Sequence, residues 1–243
     1  MASSLARQAP SRPTMAAPSI RVLSLGAMSG HPLWGEKGDV RAAHATTTLI
    51  EAAGRRILVD PSLPPQVLLP RMQERTNHPP DAITDVFLTS FQPMRRRGIA
   101  AFDKAEWWIT EREREASQAS LRESLEQAEE AEDRDLIRLV ESEMAVLARC
   151  RDCEDHLVEG VDLYPMYGVT PGSAGLLVLD ASSATLVCGD AIPTLEHLAQ
   201  GKVFSPCWDL EAAQDSFREA LEVADVLVLG RDGMIVNPVR RLM

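Results

Sequence analysis

Three features of the 243-residue chain predict a mixed α/β (α+β) fold, a sandwich of two β-sheets flanked by helices. Apolar, β-branched segments form two runs, one in each half of the chain, and each run is followed by amphipathic helical sequence. Gly and Pro clusters punctuate the runs at turn spacing. A charged stretch of helical periodicity, residues 111–150, separates the two halves.

In order, residues 21–27 alternate as a strand, and a Gly/Pro-rich loop through His31, Pro32, Gly35 and Gly38 follows. Residues 45–53 and 56–60 form a hairpin around Gly54-Arg55. Pro64 or Pro65 opens a helix to about Arg75, with Val67, Leu68 and Met72 on its buried face. Residues 86–89 and 105–110 read as buried strands. In 111–150, Leu121, Leu125, Ala128, Leu136, Leu139, Val140, Met144 and Leu147 recur at three- and four-residue steps. The stripe weakens over 129–135, which leaves one long helix and a helical hairpin both open. Strands are expected at 162–167, 175–180, 184–188 and 226–229. Helices are expected at 193–200 and at 209–224, the latter capped by Asp209.

The totals narrow the function classes. Length and an apolar share of 45% suit one large domain over residues 20–243, carrying the 111–150 insert. Residues 1–19 hold Arg, Ser, Ala and Pro but no acid, and are read as a disordered tail. A net charge of −11 argues against a nucleic-acid or anionic-membrane binder. Between Glu111 and Glu143, twelve acids face five bases, so −7 of that charge sits in the insert. No apolar run is long enough to span a bilayer, and four cysteines suggest no disulfide framework, so a cytoplasmic protein is expected. Cys150, Cys153 and His156 have the spacing of half a zinc site without a second pair; they are read as two partly exposed thiols at a helix end. His197 is read as a surface or helix-packing histidine.

Five short motifs carry a more specific signal. They are Asp60 closing the early hairpin; Leu88-Thr89-Ser90-Phe91-Gln92-Pro93-Met94-Arg95-Arg96-Arg97-Gly98; Gly168-Val169-Thr170-Pro171-Gly172; the apolar strand ending Gly189-Asp190; and Gly230-Arg231. In order and spacing the set resembles the metallo-β-lactamase-fold hydrolases. The resemblance implies a four-layer αββα sandwich with a helical insert, and for the family it implies zinc. The family's loop reads Leu-Thr-His-x-His-x-Asp-His-x-x-Gly, so Ser90, Gln92, Met94 and Arg95 stand where it has three histidines and an aspartate. Val169 and Arg231 stand at two further histidine positions. Among the ligand positions only Asp190 keeps a ligating side chain.

A lone carboxylate cannot hold zinc and acidify a bound water, so standard metal-dependent hydrolysis is not expected, nor is a bound metal. Asp60 and Asp190, stripped of metal charge, would be costly to bury together. Arg95 and Arg231 are expected to pair with them. One alternative leaves Arg95, Arg96 and Arg97 in a solvated loop, and a sharper one has Arg95 and Arg231 binding an anion. The function expected is binding or interaction, with a small molecule or anion as partner. The alternatives are hydrolysis through a displaced metal site using Asp60, Asp190 and a histidine, and a structural role through homodimerisation of the insert.

Overall fold

The computed structural model describes residues 17–240. Most of the tail expected over 1–19 lies outside the described residues, while Ser19 already belongs to the first strand, pairing with Glu51. The strands are β1 (Ser19–Ser24), β2 (Thr47–Ala52), β3 (Arg55–Val59), β4 (Asp85–Phe87), β5 (Glu106–Ile109) and β6 (Cys150–Asp152) in one sheet, in sequence order. β7 (His156–Val158), β8 (Val161–Pro165), β9 (Ala174–Leu179), β10 (Ala184–Val187), β11 (Val226–Val228) and β12 (Met234–Val236) make the second sheet, again in sequence order. The first three strands are antiparallel, and β3 to β6 run parallel. In the second sheet only β10 and β11 are parallel.

Strict alternation builds the layers. In β3, Ile57 and Val59 face the second sheet while Leu58 between them faces the helices; in β4, Phe87 points inward and Val86 outward. In β9, Leu176 and Val178 meet them from the opposite sheet, and Leu177 turns out. Such strands read as continuous apolar runs because both faces are covered. α1 (Pro65–Thr76) covers the first sheet with Leu68 and Met72, and α5 (Leu210–Val223) covers the second with Phe217 and Ala220. Helix, sheet, sheet, helix is the expected four-layer sandwich.

The insert is two helices, α2 (Glu111–Glu130) and α3 (Arg134–Arg149). The break falls in the weak part of the stripe, where Glu132 takes a positive φ of 52° and the Asp133 carboxylate caps α3 through the amides of Asp135 and Leu136. Three short strands escaped the sequence reading. β6 and β7 follow α3, where polar residues hide a three-residue pairing, and β12 lies on an exposed edge. The cysteine reading also needs correction. Cys150 and Cys153 are buried, in the helix-side and inter-sheet cores respectively, and burial pushes their thiols up to about 11 and about 12. His156 is exposed and bonded to Asp162, so it does not join them. Among the described residues no helix is long and apolar enough to cross a membrane.

Candidate functional site

The site lies at one end of the sandwich, where β3, β4, β10 and β11 release their chains side by side. Asp60 leaves β3 with a left-handed φ of 49°. Its amide is held by the Phe87 carbonyl (3.0 Å) and its own carbonyl by the Thr47 hydroxyl (2.6 Å). The carboxylate then accepts from the Thr89 amide (2.9 Å) and the Thr89 hydroxyl (2.7 Å). Thr89 thus fixes one Asp60 oxygen from each of its donors, and its carbonyl takes the Ala174 amide from the facing sheet.

Gly189 and Gly230 bring the other half in. A Cβ on Gly230 would sit 2.0 Å from the Gly189 carbonyl oxygen, and one on Gly189 would meet the Thr89 hydroxyl at 2.9 Å. Gly189 also has a φ of 53°, which only glycine adopts freely. The two chains can therefore cross with backbone touching backbone, which points Asp190 and Arg231 at each other. Arg231 grips Asp190 bidentately, Nε to Oδ1 at 2.9 Å and Nη2 to Oδ2 at 2.8 Å, with Phe204 stacked 4.5 Å from its guanidinium.

Arg95 completes the cluster from the short 3₁₀ turn Pro93–Arg95. It is 1% exposed. Its Nη1 donates to Asp60 Oδ2 at 2.5 Å, and its Nη2 lies 2.6 Å from Asp190 Oδ2, an ion contact whose N–H direction is off line. One guanidinium therefore sits between the two carboxylates, and the second clamps Asp190 from the far side. Two acids and two arginines sum to zero charge, which is what a cluster this deep needs. Burial acts to raise the Asp190 carboxyl, but Arg95 and Arg231 outweigh it and hold it well below the usual carboxylate range. At Asp60, with one arginine, burial wins and the shift is upward despite Arg95 and Thr89.

The other motif positions fall around this cluster without joining it. Ser90 and Val169 are buried, Val169 as an apolar wall. Met94 is half-buried and Gln92 points its Oε1 into the protein without a partner. These residues do not fit a zinc ion: the position between the acids is filled by a cation, and the neighbours offer a thioether, an isopropyl group and an amide. Among the described residues, no group of three or more His, Cys, Asp or Glu is placed to share a metal.

Two features were missed by sequence reasoning. Glu113, in the first turn of α2, is buried and accepts from the Phe91 amide (2.9 Å), the Gly172 amide (3.0 Å) and the Thr170 hydroxyl (2.7 Å). It ties two motif loops from opposite sheets to the insert. The signal was present in Thr110-Glu111-Arg112-Glu113, a capping-box spacing in which Thr110 caps the Glu113 amide. The second feature is a cleft of about 590 Å³ between the insert and these loops, walled by Phe91, Pro93, Leu121, Leu139, Pro171 and Trp208. Arg96 lies in its wall, paired with Glu143 and stacked 3.9 Å over Phe91; burial lowers its pKa to about 10.

His197 is buried, which excludes the surface half of the reading and leaves the helix-packing half. Its Nδ1 is 2.8 Å from the Thr194 hydroxyl, which also lies 3.1 Å from His31 Nε2. Burial lowers its pKa to about 4, with the neighbouring His31 and Arg231 acting in the same sense and Glu196 and Asp190 against it. The folded protein therefore resists a proton that the unfolded chain accepts near pH 6.5, so stability falls as pH drops from 6.5 toward 4. The expected loss is up to about 3 kcal/mol, read from urea midpoints across that range. His197→Gln should flatten this limb of the profile.

Comparison with known proteins places the fold. No protein-family model matches the sequence, and no curated protein matches it. Solved structures do match. A Thermotoga maritima protein assigned by name to the metallo-β-lactamases superposes with a TM-score of 0.66 at 17% identity, over 91% of this chain and all (100%) of that one. An N-acyl homoserine lactone hydrolase, solved with N-hexanoyl-L-homoserine at its catalytic metal centre, gives 0.60 at 17% identity, over 86% and 88%. The hydrolase AbOPH of the β-lactamase superfamily gives 0.60 at 11%, over 93% of each chain. The chain has the metallo-β-lactamase fold.

Proposed function

We propose that this metallo-β-lactamase fold works without a metal, as a small-molecule binding protein whose ligand lies in the cleft beneath the helical insert. One observation carries the reading: the Arg95 guanidinium between Asp60 and Asp190. It supplies the positive charge that holds the two loops together, so the fold keeps its shape without a metal ion. Catalysis by an acidified metal-bound water has no support from this donor set.

The cleft suits a ligand. Its volume of about 590 Å³ lies in the range of small-molecule sites, its walls are mostly apolar, and Glu113 and Glu143 add carboxylates to the lining. Acceptor groups in an apolar wall favour a ligand that brings a donor. The fitting class is an apolar chain or ring bearing one amide or hydroxyl donor.

Octanamide is a direct probe. It should change the fluorescence of Trp208 saturably, octanoate should bind several-fold more weakly because its ionised end has no donor, and Leu121→Glu should abolish the response. Equal binding of both compounds, or none, contradicts the reading. The neighbours named as hydrolases favour a second reading, hydrolysis through a metal held elsewhere on the chain. That reading requires a stoichiometric metal.

A further inference from the structure

A separate cavity of about 470 Å³ opens where the end of β1, the last two turns of α1 and the loop before β2 meet, and Ser24, Gly26, His44, Arg71, Glu74 and Arg75 line it. Arg71 and Arg75 stand one helical turn apart, a spacing at which like charges repel. Neither has a carboxylate partner among the described residues: Arg71 donates to the Ser24 hydroxyl at 3.0 Å and Arg75 to the Val22 carbonyl at 3.1 Å. Acids outnumber bases in this chain by 36 to 25, so two arginines facing one cavity with a single wall acid, Glu74, run against its overall charge. The His44 Nδ1 is buried there with no hydrogen-bond partner.

We propose that this cavity binds a phosphate-bearing small molecule, with Arg71 and Arg75 gripping the phosphate oxygens and the His44 imidazole donating to the same anion. The guanidinium fork matches phosphate geometry. The room beyond the arginines accommodates the group that carries the phosphate. Burial is the first cause that lowers the His44 pKa; the Ala45 backbone acts against it, and the positive charge of Arg71, Arg97 and Arg231 adds to the lowering. Glu74 is the acid in the same wall, and an anion bound between the arginines would oppose their field at His44.

The site is independent of the cleft beneath the insert, so each can fail alone. The test is a nuclear magnetic resonance titration of the intact protein with inorganic pyrophosphate at pH 7, following the His44 imidazole. A saturable shift with a rise in the His44 pKa is expected, and Arg71→Gln with Arg75→Gln should weaken binding at least tenfold. The exposed Arg138→Gln on the insert serves as the charge control and should leave binding unchanged. No saturable shift, or equal affinity in the double variant, overturns the proposal. Sedimentation with phosphatidylglycerol vesicles in the absence of pyrophosphate binding overturns the assignment to a free small molecule.

Discussion

Replacing Arg95 with Met is expected to cost about 3–5 kcal/mol of folding stability, because it leaves two buried carboxylates facing one remaining arginine. That is a large fraction of what a domain holds in total. Asp60 loses the one cation paired with it among the described residues, while Asp190 keeps the bidentate Arg231. The loss should therefore concentrate on Asp60, and its sign can be checked by rescue. Adding Asp60→Asn to Arg95→Met removes the stranded charge, keeps an oxygen for the Thr89 donors and leaves a neutral Asp190–Arg231 pair. The double variant should recover at least half of the lost stability in urea unfolding. A loss under about 1 kcal/mol for Arg95→Met would be typical of an exposed pair and would remove Arg95 from the centre of the cluster.

Glu113→Ala is the second large effect. It strands the Phe91 amide, the Gly172 amide and the Thr170 hydroxyl, each worth about 1–3 kcal/mol when buried without an acceptor. Some of this is relieved by water entering through the adjacent cleft, so a net loss of about 3–4 kcal/mol is expected. Glu113→Gln keeps one acceptor oxygen and should fall between the two. Hydrogen exchange gives the local readout: the Phe91 and Gly172 amides should lose protection in Glu113→Ala well beyond the change in global stability. Uniform loss across the sheets would mean that Glu113 does not tie the loops together. The consequence reaches the cleft beneath the insert, whose wall includes both loops and Glu113 itself.

The sequence disclosed the sandwich because alternation in a strand covered on both faces is a strong physical signal. Ile57, Leu58 and Val59 have no choice but to divide between two cores. It disclosed the site's neighbourhood because glycines at crossing chains are replaceable only at the cost of backbone overlap, which leaves Gly189-Asp190 and Gly230-Arg231 readable although Arg231 stands where the resemblance implies a histidine. Short edge strands such as β6 and β7 left no periodicity to read. Glu113 was passed over because a glutamate in an acidic helix looks like solvated charge, and only the fold brings Phe91 and Gly172 to it. The burial of Cys150 and Cys153 depends on the partners β5 and β6 find, which no local pattern encodes.

On the reading proposed above, Arg95 and Arg231 supply at Asp60 and Asp190 the positive charge that would otherwise call for a metal. Calorimetric titration of the intact, chelator-treated protein with zinc tests it most directly. The account predicts no saturable heat near one or two equivalents, and the same featureless trace for Asp190→Ala. A stoichiometric zinc isotherm that Asp190→Ala abolishes would contradict it.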